Sequence, residues 1–252
     1  MKKLLFSLLT ASAFFLAGCL ETTQEITIKE DGSGTASYTS DMSALMAMVK
    51  QMGSGADTKD MDKSIDSTVS LKEVADSIEG LTDAQKAMLL KSELRISMDM
   101  KSEKFFTKLN FPFASTSEIT ACNELSAKVM GETLKGQTAG LNAMSEDGAG
   151  MPQMSSFDDY YTTVYANGSI VKTLNKEKYG KVGEDEYFKG MKETAAMGLS
   201  MKANYIINLP RPAKTAEGKG ITLSEDKKKI TISVDMDDFF DDPSKLEYKI
   251  EY

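Results

Sequence analysis

Strict alternation of apolar and polar side chains recurs along this chain, and it narrows the possible folds more than any other feature. Leu94, Ile96, Met98 and Met100 alternate with Arg95, Ser97, Asp99 and Lys101. A two-residue period sends successive side chains to opposite faces of a strand, so this segment has one buried and one wet face. After a turn at Ser102-Glu103 the pattern resumes in Phe105, Leu109, Phe111 and Phe113. The pair predicts an antiparallel hairpin whose second strand ends at the Pro112 break.

Similar pairs lie elsewhere. Ile26 and Ile28 precede Asp31-Gly32-Ser33-Gly34, which turns the chain into a second strand over residues 35–39. Residues 160–165 and 170–174 flank Asn167-Gly168, a dipeptide suited to a type I′ turn. Toward the end, Ala203, Tyr205, Ile207 and Leu209 alternate, as do Ile230, Ile232, Val234 and Met236, and then Leu246, Tyr248, Ile250 and Tyr252.

Between these segments the period lengthens. Residues 41–52 place Leu45, Met46, Val49 and Met52 on one helical face behind Asp41 or Ser43 as cap, and short helices are expected at 71–78 and 84–91. Residues 116–134 gather Ile119, Cys122, Leu125, Val129, Met130 and Leu134 in one arc, and residues 184–197 bring Phe188 and Met191 together. Gly, Ser, Asp and Lys dominate residues 53–67, and Gly, Ser, Met and Gln dominate 136–156, so both read as flexible loops. The expected fold class is α+β: a mainly antiparallel β-sheet built from hairpins, with helices inserted and packed on one face, forming a single domain over residues 19–252.

The first 18 residues fall outside that domain. Lys2 and Lys3 precede an apolar run from Leu4 to Phe15, which closes on Leu16-Ala17-Gly18-Cys19. A basic start, a short apolar core and small residues before a cleavage point mark an export leader. A cysteine just after Leu16, Ala17 and Gly18 adds a chemical step: diacylglycerol attached to Cys19 as a thioether, followed by cleavage before it. The apolar run is too short for a retained membrane helix, which needs roughly 20 residues to cross about 30 Å. One acyl chain holds a protein marginally, whereas two or three on Cys19 anchor it stably.

Composition then excludes much of the usual chemistry. The chain has no histidine, which removes Ser-His-Asp and Cys-His catalysis and imidazole-based zinc sites. Cys19 would be consumed by lipid, leaving Cys122 without a disulfide partner and, at the centre of its apolar arc, reading as a buried structural thiol. The net charge of −8 disfavours nucleic acid and anionic headgroups as partners, and it grows more negative once Lys2 and Lys3 leave.

Two clusters invite a metal reading. Among 17 methionines, Met42, Met46, Met48 and Met52 form one group and Met144, Met151 and Met154 another. Thioethers bind Cu(I), but they also fill irregular cores and adaptable apolar surfaces, and core packing is the expectation here. Asp235, Asp237, Asp238, Asp241 and Asp242 lack the spacing and glycine of a calcium loop, so Asp237 or Asp238 is expected to cap a turn that holds Phe239 and Phe240 inward. Neither a catalytic residue, a cofactor nor a metal site is expected.

The lipobox, the Ile26 to Thr35 segment Ile-Thr-Ile-Lys-Glu-Asp-Gly-Ser-Gly-Thr and the closing strands resemble uncharacterised Bacteroidetes-type lipoproteins. The closing section runs from Tyr205-Ile206-Ile207-Asn208-Leu209-Pro210 through Leu223-Ser224-Glu225-Asp226 to Lys245-Leu246-Glu247-Tyr248, and its order of elements also resembles the LppM-type lipoprotein domain. That resemblance implies a mixed helix and sheet domain and a capacity to bind amphiphiles at the envelope, but transfers no binding residue. The sequence thus predicts a lipoprotein held in the membrane by diacylglycerol and acyl chains on Cys19, extracytoplasmic, at the outer rather than the inner membrane. A non-enzymatic protein-binding or structural module is expected, with an envelope protein as partner and a lipid or other amphiphile as the alternative ligand.

Overall fold

The computed structural model describes residues 18–44, 46–47, 64–138, 155–196 and 199–252. The first hairpin forms from β1 (Gly18–Ile28) and β2 (Gly34–Asp41), which pair antiparallel. Asp31 closes the turn by accepting from the Ser33 amide at 3.0 Å, while Gly32 takes a φ of 81° that favours glycine. Gly34 is required for a different reason. A Cβ there would lie 1.9 Å from the Thr27 carbonyl oxygen and 2.5 Å from the Phe113 ring.

The hairpin expected from residue 93 onward is present as β4 (Glu93–Asp99) and β5 (Lys104–Phe113). β5 does not stop at Pro112, which pairs with Thr35 of β2. The pairing with β4 begins at Glu93 opposite Asn110, so beyond that point one side of β5 carries no ladder for the missing amide hydrogen to interrupt. Residues 64–67, expected as the end of a loop, belong instead to β3 (Ser64–Ser70), whose seven residues pair in unbroken register with β4. The rest of that expected loop lies outside the described residues, as does most of 136–156.

Later in the chain come β6 (Tyr161–Ala166), β7 (Ser169–Leu174), β8 (Leu199–Asn208), β9 (Thr215–Glu217), β10 (Ile221–Leu223), β11 (Lys229–Asp235) and β12 (Tyr248–Glu251). An eight-stranded sheet has the order β10-β11-β8-β1-β2-β5-β4-β3, and a four-stranded sheet has the order β6-β7-β12-β9. All these pairings are antiparallel except β1 with β8. Asn167-Gly168 turns β6 into β7 as expected, with Gly168 at φ 87°.

Six helices complete the described fold: α1 (Lys72–Ser77), α2 (Asp83–Leu89), α3 (Ile119–Thr138), α4 (Lys176–Tyr179), α5 (Glu186–Ala196) and α6 (Met236–Asp241). Thr82 caps α2 through a reciprocal box with Gln85. Ile119, Cys122, Leu125 and Val129 are buried along α3, the arc that the sequence periodicity predicts. Helix α3 packs on β2 and β5 and also touches β6, so it bridges the two sheets, while α5 packs on β8. The expected class, α+β with a mainly antiparallel sheet, is the observed one. The division into two sheets and the single parallel pair are additions to it.

Core side chains align across strands. Ile26 sits opposite Ala36 and Ile207, Ala36 opposite Phe111, and Ile207 opposite Ile230. All five are essentially excluded from water, and burial of this kind contributes about 1.5–3 kcal/mol for each large side chain.

Candidate functional site

Of the four residues in the predicted lipidation box, Leu16 and Ala17 lie outside the described residues, and Gly18 and Cys19 are the first two of β1. Gly18 pairs with Leu199 and Cys19 with Ser200, so the backbone at the anchor position is already part of the large sheet.

Cys122 takes the structural role expected of it. It is buried on α3 with its sulfur 3.5 Å from the Met88 thioether, and burial together with the Glu118 charge pushes its thiol up to about 12. A thiol held protonated in this way is a poor nucleophile.

The methionines divide between core and rim. Met191, Met201 and Met236 are buried, Met42 and Met46 are half-buried, and Met48, Met52, Met144, Met151 and Met154 lie outside the described residues. In the acidic run the cap of α6 is Asp235 rather than Asp237 or Asp238, because β11 ends there and the helix begins at once with buried Met236. Asp235 accepts from the Asp238 amide at 2.7 Å. Asp238 pairs with Lys245, and Asp242 accepts from Ser244 and from Lys219 at 3.1 Å. These carboxylates serve as caps and ion-pair partners. No cluster of three metal-ligating carboxylate, thiol or imidazole side chains occurs among the described residues.

The most unusual polar arrangement was not anticipated from sequence. Lys172, on the buried face of β7, is 1% exposed. Its ammonium donates to Asp158, on the turn before β6, and lies 4.1 Å from the centre of the Tyr205 ring and 5.0 Å from that of Tyr161. Burial and the nearby Asp158 charge push the Tyr205 hydroxyl well above its ordinary range. Close by, the Asn123 side-chain oxygen accepts from Gln24 Nε2 at 2.8 Å and from the Tyr38 hydroxyl. Asn123 also hydrogen-bonds Tyr165 of β6, whose hydroxyl burial likewise pushes upward. A polar seam therefore runs from β1 and β2, through α3, to the small sheet. A cation between aromatic faces and paired with a carboxylate is satisfied by its surroundings, so the seam fixes the docking of the two sheets.

The signal for it was a lysine at an apolar position: Ile170, Lys172 and Leu174 share one face of β7. Beside the seam, Phe157, Tyr160, Tyr179, Phe188 and Phe239 pack ring on ring, with Phe157 and Phe239 centred 4.4 Å apart. Phe188 and Phe240 then floor a shallow recess of about 50 Å³, which Val182, Gly183, Lys189 and Lys192 complete. The Lys192 ammonium covers Phe240 at 3.7 Å.

No protein-family model and no curated protein sequence matches the chain. Among solved structures, the NMR structure of the Mycobacterium tuberculosis LppM protein folded domain is similar with a TM-score of 0.36 and 8% identity, covering 95% of this chain and 93% of that one. The LppM-type resemblance read from sequence is met at this weak level, and the Bacteroidetes-type one has no counterpart among these matches.

Proposed function

We propose that this protein is a lipid-anchored lipoprotein of the bacterial envelope, held by diacylglycerol and acyl chains on Cys19, whose folded part is a non-enzymatic module that binds another envelope protein. The observation that carries the anchored reading is the order of the leader itself: Lys2 and Lys3, the apolar run from Leu4 to Phe15, and Leu16-Ala17-Gly18 directly before Cys19. The box places cleavage immediately before Cys19, which is part of β1. Among the described residues, a mature chain starting at Cys19 keeps every pairing of β1 with β8 except the one made by Gly18.

Binding of a protein is supported by β3. Among the described residues this strand forms one edge of the large sheet, every residue in it is exposed, and its one charge, Asp66, is paired with Arg95 of β4. Such an edge accepts a further strand by backbone pairing. For the alternative ligand, an amphiphile, the recess beside Phe240 is too small: it holds about 50 Å³, whereas pockets for small ligands run to about 300–1,000 Å³.

The test is fractionation of cells expressing the full chain or Cys19→Ala, with a clickable fatty acid supplied in the medium. The expected result is a labelled, membrane-bound wild type and an unlabelled variant that leaves the membrane; equal partition of the two contradicts the anchor. A photocrosslinking residue at Thr68 then addresses the partner, and absence of any recurrent adduct counts against the binding role.

A further inference from the structure

We infer that the anchored end of the large sheet beds in the lipid surface through a row of apolar side chains on its core face. The inference rests on the anchored reading above and adds which part of the domain meets the bilayer.

Register defines the row. Leu20 pairs with Met201, Glu21 pairs with Asp41 so that Leu20 aligns with Met42, and the Met42 amide donates to the Phe105 carbonyl at 2.8 Å. Phe105 pairs with Met98, and Met98 with Ile65. Six apolar residues, five from strands and Met42 directly after β2, thus lie side by side at one end of the sheet, each within reach of its neighbour.

Their exposure sets them apart from the core. Met201 is buried, but Leu20, Met42, Phe105 and Met98 are half-buried and Ile65 is 43% exposed. The next row inward, Ala203, Thr22, Ser40, Thr107, Ile96 and Ser67, carries four hydroxyls among its six residues. The row beyond that, with Gln24, Tyr38, Leu109 and Leu94, joins the seam and the buried core. From Met42 to Ile65 the rim is thus set off from the interior mainly by hydroxyls, whereas at its other end Met201 belongs to the core and Leu20 packs against it. Among the described residues, Met42, Phe105 and Met98 are not part of the packed core cluster.

The anchor names the occupant. Cys19 directly precedes Leu20 in β1, so the backbone of the acylated residue lies one residue step, about 3.3 Å along the strand, from the rim. With no linker between anchor and sheet, this end cannot stand away from the bilayer. Methionine, leucine, phenylalanine and isoleucine partition into the headgroup boundary by apolar burial, which does not require the positive charge that this acidic chain lacks.

The experiment exploits the absence of tryptophan from the chain. Ile65→Trp and Phe105→Trp place one reporter in the rim. Glu30→Trp places one at the opposite turn, about 33 Å from Leu20 at roughly 3.3 Å per residue. Each full-length, lipidated variant is reconstituted into phosphatidylcholine vesicles containing tail-brominated lipid, and acylation of Cys19 is confirmed by mass. The expected result is several-fold stronger quenching and a blue shift for the rim reporters relative to position 30. Acylated, vesicle-bound protein with equal quenching at all three positions overturns the inference and leaves the anchor standing. Absence of acyl mass on Cys19 overturns the anchored reading and this inference with it. Ile65 is exposed at a sheet edge, so its variant remains informative if Phe105→Trp fails to fold.

Discussion

The Lys172 ammonium lies 4.1 Å from the centre of the Tyr205 ring, joining a strand of the small sheet to a strand of the large one. Asp158 balances the charge, and the lysine side chain is almost wholly enclosed. Lys172→Ala is expected to destabilise the fold by about 3–5 kcal/mol, because it leaves a partly buried carboxylate without its partner and opens a hole beside Tyr205. Lys172→Met combined with Asp158→Asn is expected to recover most of that loss, since shape is kept and no charge is stranded. Urea unfolding of the single and double variants measures both; an unaltered midpoint for Lys172→Ala contradicts the assigned role.

Asn123 is the second tie. Its side-chain oxygen accepts from Gln24 and Tyr38, so Asn123→Leu strands two donors that are part-buried. The expected cost is about 2–6 kcal/mol, at roughly 1–3 kcal/mol per unsatisfied group. Tyr38→Phe removes one donor while leaving the acceptor in use, and is expected to cost less. A smaller effect for Asn123→Leu than for Tyr38→Phe would contradict the network.

Gly34 tests the first hairpin. Gly34→Ala forces a Cβ against the Thr27 carbonyl and the Phe113 ring, and the backbone oxygen cannot swing aside as a side chain can. Destabilisation of about 2–3 kcal/mol is expected, measured as a lowered unfolding midpoint. Gly131→Ala is the control: it meets open space on α3 and is expected to be neutral or stabilising.

The Cys122 thiol gives a pH signature. Burial raises it from 9.0 to about 12 in the folded chain. Below the unfolded value both states hold the proton, and its contribution to stability is fully present; as pH rises toward 12 the unfolded chain ionises first and stability falls. The expected slope approaches about 1.4 kcal/mol per pH unit within that window. Cys122→Ala should flatten this part of the profile. Slow modification of the native thiol at pH 8, becoming fast in denaturant, is the corresponding chemical result.

Much of the large sheet was legible because its strands each bury one face. Glu93–Asp99, Leu199–Asn208 and Lys229–Asp235 all show the alternation that burial imposes. β3 was not legible: its residues are exposed throughout, so it is a strand through its ladder with β4 and presents no buried stripe. Pro112 was misread for a related reason, since its tolerance depends on where β4 stops rather than on its own neighbours. Asp235 escaped notice as a cap because it is also the last residue of β11. At the anchor, the box was legible residue by residue, whereas the rim needed register across six elements and the seam needed two sheets to meet.

The proposed function requires a mature chain that begins at lipidated Cys19. Mass spectrometry of the tryptic N-terminus tests it most directly, because no lysine or arginine occurs between Cys19 and Lys29. The expected peptide spans residues 19–29 and carries a diacylglycerol thioether on Cys19. An unmodified Cys19, or a mature chain that begins at any other residue, would contradict the proposed function.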